Sequence, residues 1–421
     1  MMKIARRLLQ ISWRNVFRNR RRSILTLLIL VLGSTGLIIV GGFFQNLMDG
    51  FRDEFIHSQT GHLQINVAGY YEKGASSPFD YLMKDVSRIQ QEIEVHPHVL
   101  YTVPRLKLGG MVSTDQTSVA VLAFGVDPIR ERRMGSLKAQ NAMAQAVHIC
   151  DGQDLDPSDP YGAVLGKGLM NALGLKIGDP VNFLTTRQAG AIDGATYHVR
   201  GAFETIVKEF DDRAMKINLE TAQKLLDSPN QVHNLLVILD ETELTETVRA
   251  ELETDFKAKN LNLESIPWEM QAQFYRQGRD LLNKIYSTIQ FIISIIFLFS
   301  IANTVNMAVL ERMREYGTMM AIGNSRGTVF SMIVFETMSL GLIGSLLGLL
   351  IGSGVSEIVS SIGIQMPPPP QGTNPYIAMI TLSPYLLTQT FFISLISTTI
   401  SSIAPAYRAS HFPIVKALGY I

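Results

Sequence analysis

Four stretches of this chain have a natural home only in a lipid bilayer. Ile24–Phe44 is a run of 21 residues without a charge, and a helix of about 20 apolar residues crosses a bilayer core. Further runs cover Tyr286–Leu310, Thr328–Val355 and Tyr385–Ala404, the third interrupted only by Glu336. The first run is too long for the apolar stretch of a signal peptide, and its exit, Gly41-Gly42-Phe43-Phe44-Gln45, lacks a small-residue cleavage site, so it reads as a retained anchor. Only 18% of the residues are charged, against roughly 25% in soluble domains.

The formal charge of zero hides a segregation. Residues 1–23 carry eight Lys/Arg and no acid, whereas residues 45–285 carry 24 Lys/Arg against 33 Asp/Glu. Basic residues near span ends set orientation. They place the N-terminus in the cytoplasm, together with a loop holding Arg312, Arg314 and Arg326 and a tail holding Arg408 and Lys416. The loop between the third and fourth runs has no Lys or Arg, which suits the outside. A basic tail beside an acidic middle is therefore topology rather than nucleic-acid binding. The expected map is an amphipathic N-terminal segment (1–23), spans at 24–45, 285–310, 328–355 and 385–404, and a cytoplasmic tail (405–421). An outer insert (46–284), an inner loop (311–327) and an outer Pro-rich loop (356–384) connect them. Met366-Pro367-Pro368-Pro369-Pro370 in that outer loop is a stiff extended segment that reads as a cap between spans.

The insert reads as a mixed α/β domain. Strands are expected over His62–Val67, Val99–Leu108, Val119–Gly125, Val181–Thr185, Tyr197–Glu204, Met215–Asn218 and His233–Leu239. Helices are expected over Asp80–Glu94, Val164–Leu173, Leu219–Asp227 and Glu241–Lys259. Asn218 stands where an N-cap belongs, and Gly174 and Gly178 frame a turn. Helical periodicity in Asn46–Ser58 and Trp268–Ile285 suggests a stalk that continues the first two spans outward.

Several chemistries are missing. Gly166-Lys167-Gly168 lacks the spacing and the Ser/Thr of a phosphate loop, and no H-E-x-x-H or G-x-S-x-G occurs. Asp151, Asp154, Asp156 and Asp159 lack the later bidentate Glu of a calcium loop and read as a solvated segment. His57 and His62 read as packing histidines, and Cys150, the only cysteine, permits no intrachain disulfide. The expectation is a protein that is not itself an enzyme and binds no cofactor. Glu336, an intramembrane carboxylate about two turns from the inner end of its span, is a functional candidate by default. Either an interfacial structural role or an ion pathway fits it. A channel or secondary transporter rests on that residue alone.

One inner loop carries the functional argument. Met313, Tyr316 and Met320 fall on one stripe of a helix, with Arg312 and Glu315 on another face and Gly323-Asn324 as a stop. A short amphipathic helix along the membrane surface follows. On charge and periodicity alone it is equally a connector that keeps its charges in water.

The string Glu311-Arg312-x-Arg314-Glu315-x-Gly317, continuing to Ala321 and Gly323, resembles the coupling segment of the MacB/FtsX/LolC-LolE family of ABC transporter permeases. Pro405-Ala406-Tyr407-Arg408-Ala409-Ser410 through Pro413-Ile414-Val415-Lys416-Ala417-Leu418 is similar to that family's C-terminal motif. Trp13-Arg14-Asn15-Val16-Phe17-Arg18-Asn19-Arg20 is similar to its N-terminal amphipathic helix. Gly61-His62-Leu63-Gln64-Ile65, Gly125-Val126-Asp127-Pro128 and Leu173-Gly174-Leu175-Lys176-Ile177-Gly178-Asp179 look most like the LolC/LolE lipoprotein-releasing branch. The resemblance implies a multi-pass inner-membrane protein of four transmembrane helices with a large MacB-like periplasmic α/β domain between the first two. It implies a separate ABC ATPase subunit of LolD/MacB type that binds the ATP and Mg, and a second permease chain, identical or paralogous. It also implies membrane lipid as surroundings and a periplasmic carrier or adaptor as docking partner. Glu311, Arg312, Arg314, Glu315, Gly317, Ala321 and Gly323 would couple to the ATPase. Motion would pass through the first two spans to the outer domain, for extraction or export of lipoprotein, lipid or peptide from the outer leaflet. The alternative within the family is an FtsX-like regulator of a periplasmic cell-wall hydrolase. Arg187, Gln188, Ile192 and Asp193 lie where LolC carries its carrier-gripping hairpin, but the stretch here is short and Gly/Ala-rich, a departure from that pattern.

Overall fold

The computed structural model describes residues 20–74, 76–114, 117–136, 146–187, 190–205, 207–367 and 376–418. The expected N-terminal amphipathic helix lies outside them, apart from its last residues. In chain order, α1 (Arg20–Phe55) ends in a wider turn at Ile56–Thr60 and leads to β1 (Leu63–Val67), α2 (Val86–Glu94), β2 (Val99–Ser113), β3 (Ser118–Val126) and α3 (Pro128–Gly135). There follow β4 (His148–Gly152), β5 (Gly162–Gly166), α4 (Lys167–Leu173), β6 (Pro180–Thr186) and β7 (Ile192–Glu204). Next come β8 (Ala214–Asn218), α5 (Leu219–Leu226), β9 (Asn234–Leu239), α6 (Thr245–Ala258) and β10 (Leu263–Pro267). The chain then runs through α7 (Gln273–Glu311), α8 (Met313–Ala321), α9 (Arg326–Ile362), α10 (Pro384–Ser410) and α11 (Ile414–Leu418). Two compact units result, one holding the apolar helices and the other holding residues 48–278 with 365–377.

In the membrane unit four helices are long and apolar enough to cross a bilayer, within Ser23–Thr60, Tyr275–Glu311, Arg326–Ile362 and Pro384–Ser410. Each helix outruns the charge-free stretch that signals it, because a few polar residues do not stop a helix whose caps lie further out. Ser325 accepts from the Thr328 N–H at one cap and Ser383 from the Leu386 N–H at another, with Pro384 behind it. In lipid, helices associate by close packing and small residues rather than by the hydrophobic effect. Gly344, Gly348 and Gly352, spaced by four, form such a stripe on α9. A Cβ there would stand 2.5 Å from Leu30, 2.7 Å from Ser34 and 2.7 Å from Ile38 of α1. Gly341 meets Thr398 of α10 in the same way, and the buried Ser34 and Ser394 hydroxyls share a 2.8 Å hydrogen bond between α1 and α10. The second span is different: only 11% of its most apolar window is buried.

The α/β unit is a mixed ten-stranded sheet in the order β10-β1-β9-β2-β3-β8-β5-β7-β4, with β6 pairing both β2 and β7. β2 is long enough to serve two neighbourhoods. Its first half pairs β9, and its second half pairs β3 on one side and β6 on the other. The ladders β2-β3-β8-β5-β7-β6 therefore close into a circuit, and the sheet's edges are left to β10 and β4. Val181 and Phe183 alternate with exposed neighbours along β6 and point into the core with Leu108, Val199 and Ile217. Asn218 caps α5 as expected, its Oδ1 accepting from the Glu220 N–H. Val164–Leu173 is not one helix: Gly162–Gly166 is a buried strand and the helix starts at Lys167. The aspartate-rich segment is charge-balanced, Arg132 pairing Asp154 and Arg200 pairing Asp156 and Asp159. His62 accepts from the Leu239 N–H through Nδ1, and burial, with His57 a lesser cause, pulls it down to about 3, so it packs as a neutral ring.

One buried ion cluster ties the turn after α1 to the sheet. Arg105 of β2 donates to the Ser58 and Gln59 carbonyls at 3.0 and 2.7 Å and to both oxygens of Glu131 on α3. Lys216 of β8 donates to the same Glu131 at 2.7 Å. The guanidinium thus satisfies carbonyls left over at a helix end, where positive charge is also favoured. Burial opposes ionisation of Glu131, but Arg105 and then Lys216 outweigh it and hold the carboxyl at about 2.

Two outcomes are expected. Gly348→Leu should lower the thermal midpoint of the detergent-solubilised chain, since overpacking costs about 1–3 kcal/mol. Gly354→Leu, whose Cβ meets open space, should not, and equal losses would sink the packing account. For Glu131, a depressed folded pKa means its contribution is complete above the ordinary carboxylate value of 4.5 and fades as pH falls towards 2. Urea melts of wild type and Glu131→Gln should therefore differ at pH 7 and converge as the pH drops through that window.

Candidate functional site

The residues that sequence reasoning assigns to coupling surround the break between α7 and α8. Arg312 sits at that break with φ −106° and ψ 14°, its N–H shared between the Ala308 and Val309 carbonyls. The kink frees α8 to run separately from α7. Met313, Tyr316, Gly317 and Met320 are buried on one stripe of α8, as the spacing predicts. Met313, Tyr316 and Met320 join Val305 and Val309 of α7, Val329, Met332 and Ile333 of α9, Ala406 and Ala409 of α10 and Ala417 of α11 in one apolar cluster. The motif-bearing tail and the motif-bearing loop therefore form a single packed element. Gly323, at φ +102°, makes the turn into α9 in a conformation that favours glycine.

Arg312 does not project into solvent as the helical face suggested. It is 8% exposed. Its Nε donates to Glu315 at 2.9 Å, its Nη1 donates to Glu336 at 2.9 and 3.2 Å, and its guanidinium lies 5.3 Å from the Tyr316 ring. A buried charge must be paired, and Glu336 inside α9 is what pairs it. A cavity of about 40 Å³ beside Glu336, lined also by Ser23, Thr304 and Thr337, has room for about one water. Glu311, Arg314, Glu315, Ala321 and Gly323 are exposed. Ile322, which sequence reasoning passed over, is 78% exposed at the end of α8. An apolar residue so placed beside charged ones was the available signal.

The other predicted residues belong to the α/β unit. Arg187 and Asp193 pair across the turn between β6 and β7, Nε to Oδ2 at 2.7 Å, and the Arg187 N–H donates to the Ala191 carbonyl. Ile192 is 78% exposed, with Leu184 of β6 also exposed, so the hairpin is less polar than its Gly/Ala-rich turn suggests. Gln188 lies outside the described residues. Among the described residues no cluster of His, Cys, Asp and Glu has the arrangement of a metal site.

Breaking the Arg312–Glu336 pair by Arg312→Met should cost about 3 kcal/mol, because it leaves a buried carboxylate uncompensated. The double change Arg312→Met with Glu336→Leu should recover most of that loss. Equal thermal midpoints for the single and double variants would show that the pair does not hold the break.

Comparison with known proteins agrees with this architecture. The MacB-like periplasmic core domain family matches residues 23–255, over half of the chain, and the FtsX-like permease C-terminal family matches residues 287–414. An uncharacterized ABC transporter permease of Methanocaldococcus jannaschii is 25% identical over 224 residues, 52% of this chain and 54% of that protein. The chain thus spans about half the length of that relative. The lipoprotein-releasing system transmembrane protein LolC of Neisseria meningitidis is 22% identical over 340 residues, 79% of this chain and 77% of LolC. The crystal structure of the periplasmic region of MacB from Actinobacillus actinomycetemcomitans aligns with a TM-score of 0.37 at 10% identity, covering 52% of this chain and 95% of that one. With an α/β domain inserted after the first span and the loop and tail motifs packed together, the chain belongs to the MacB/FtsX/LolC type of ABC transporter permeases.

Proposed function

We propose that this chain transmits work rather than conducting cargo: a separate ATPase subunit engages α8, and its motion reaches the outer domain through the first two spans. The observation that carries this reading is Arg312, which fixes α8 to α9 through Glu315 and Glu336. A helix pinned to the third span and following directly on the second moves both when pushed, and the second leads back to the α/β domain. The exposed face left by this arrangement, Glu311, Arg314 and Ile322, is the surface offered to the ATPase groove, which also supplies the ATP and Mg sites. The sparse burial of the second span supports a second permease chain covering it. Basic residues flanking the spans support an inner-membrane chain with both termini cytoplasmic and the α/β domain periplasmic.

At the outer end, Arg105 gathers the Ser58 and Gln59 carbonyls, so displacement of the first-span helix is passed to β2 and α3. The reading is mechanotransmission to a domain that handles a lipoprotein, lipid or peptide at the outer leaflet. The MacB-like match over the whole first half supports it over an FtsX-like regulator of a cell-wall hydrolase. The β6–β7 hairpin, with exposed Ile192 and Leu184, is the surface we assign to a periplasmic carrier or adaptor.

The test is copurification with the ATPase subunit. Arg314→Glu with Ile322→Asp alters two exposed positions and should abolish copurification while leaving the thermal midpoint of the permease unchanged. Full retention of the ATPase by this variant would overturn the assignment of α8.

A further inference from the structure

We propose that the α/β domain carries a binding pocket for a single-headed anionic amphiphile, a carboxylate or phosphate group on an apolar chain. A cavity of about 660 Å³ opens on this domain, within the ordinary range of small-molecule sites, roughly 300–1,000 Å³. Tyr70, Phe79, Leu108 and Leu122 line it, together with Lys107 and Gln271, and among the described residues no Asp or Glu does.

Lys107 is the feature that demands a ligand. It is half-buried on β2, and among the described residues no carboxylate pairs with it. Its ammonium lies 5.6 Å from the Tyr70 ring, which stabilises a cation but does not neutralise it. Burial, with Arg105 a lesser cause, draws the ammonium down to about 8. Other buried cations of this domain have acids: Arg105 and Lys216 share Glu131. Gln271 adds a buried Nε2 without a hydrogen-bond partner among the described residues. A cation and a free amide donor on a wall that is mostly apolar, with Gln64, Thr185 and Thr186 as its other polar members, match one anionic head with an apolar body.

The wall is held rigidly. His233 Nδ1 accepts from the Lys107 N–H at 3.1 Å, and its Nε2 lies 3.1 Å from the Pro78 carbonyl. Burial, with Lys107 a lesser cause, pulls His233 down to about 4, so the ring stays neutral, with the proton on Nε2 directed at Pro78. That ring ties the strand bearing Lys107 to the Pro78–Tyr81 turn beside Tyr70. Gly109, two residues along β2, faces the same side as Lys107. It lines the cavity, and a Cβ there would meet nothing within 4 Å. The open space over this strand is therefore kept by the absence of a side chain.

The experiment is calorimetric titration of the full chain in phosphatidylcholine nanodiscs, with empty discs subtracted. The probes are octanoate and octyl phosphate, with inorganic phosphate as the head alone and octanol as the tail alone. Both amphiphiles should bind once per chain, and the tighter of the two identifies the head group as fatty carboxylate or phospholipid-type phosphate. Head alone and tail alone should bind at least about tenfold more weakly. Lys107→Met should weaken the amphiphiles by about tenfold or more and Lys107→Arg should restore them. Gly109→Leu, which fills the cavity and leaves Lys107 intact, should weaken them as strongly. Unchanged thermal midpoints establish that these variants fold. Absence of binding above empty discs, octanol binding as tightly as octanoate, or full binding by folded Lys107→Met would each overturn the proposal.

Discussion

A guanidinium taken out of water must find a carboxylate, and the inner end of this membrane unit is organised around that demand. Arg312 ends α7, so the kink, the direction of α8 and the place of Glu336 on α9 are settled together. The apolar stripe of α8 then follows the charge, packing Tyr316 beneath the guanidinium and Ala417 of the tail alongside. Helices as short as α8 and α11 are marginal on their own in water. Joined through the spans, they form one rigid block.

The α/β unit uses the same chemistry for a similar purpose. Arg105 is buried against Glu131 and Lys216 while it holds the carbonyls of the turn that follows α1. In both units an arginine stands where a long helix ends and something else begins. Arginine suits this role because its planar fork addresses several acceptors at once and it does not deprotonate. A lysine would keep the charge but lose the geometry.

Much of this was legible in the residues. Charge-free length announced the spans, and period 2 announced most strands. The end of β5 reads in sequence as the start of a helix because Gly162–Gly166 is too short and too apolar for its period to distinguish the two. The apolar stripe of α8 lies where its spacing puts it, but Arg312 is buried rather than exposed, since periodicity says which side of a helix a residue leaves from and not where a long side chain ends. Glu336 was the missing clue: an acid inside a span asks for a cation, and Arg312 begins the loop just beyond it. The glycine stripe on α9 was present as three glycines four apart, but its meaning depends on the partner helix. Lys107 gave no signal, because a lysine in a strand is ordinary until the structure shows that no acid reaches it.

The closed circuit of strands has a consequence for deformation. An open sheet can absorb a push at one edge by twisting, so a distant edge feels little. In a circuit, each ladder is loaded through two neighbours, and shear on β2 must be shared by β3 and β6 and by every strand between them. Such a ring behaves as a stiff hoop, in which a load on β2 is spread around the strands rather than relieved by local bending.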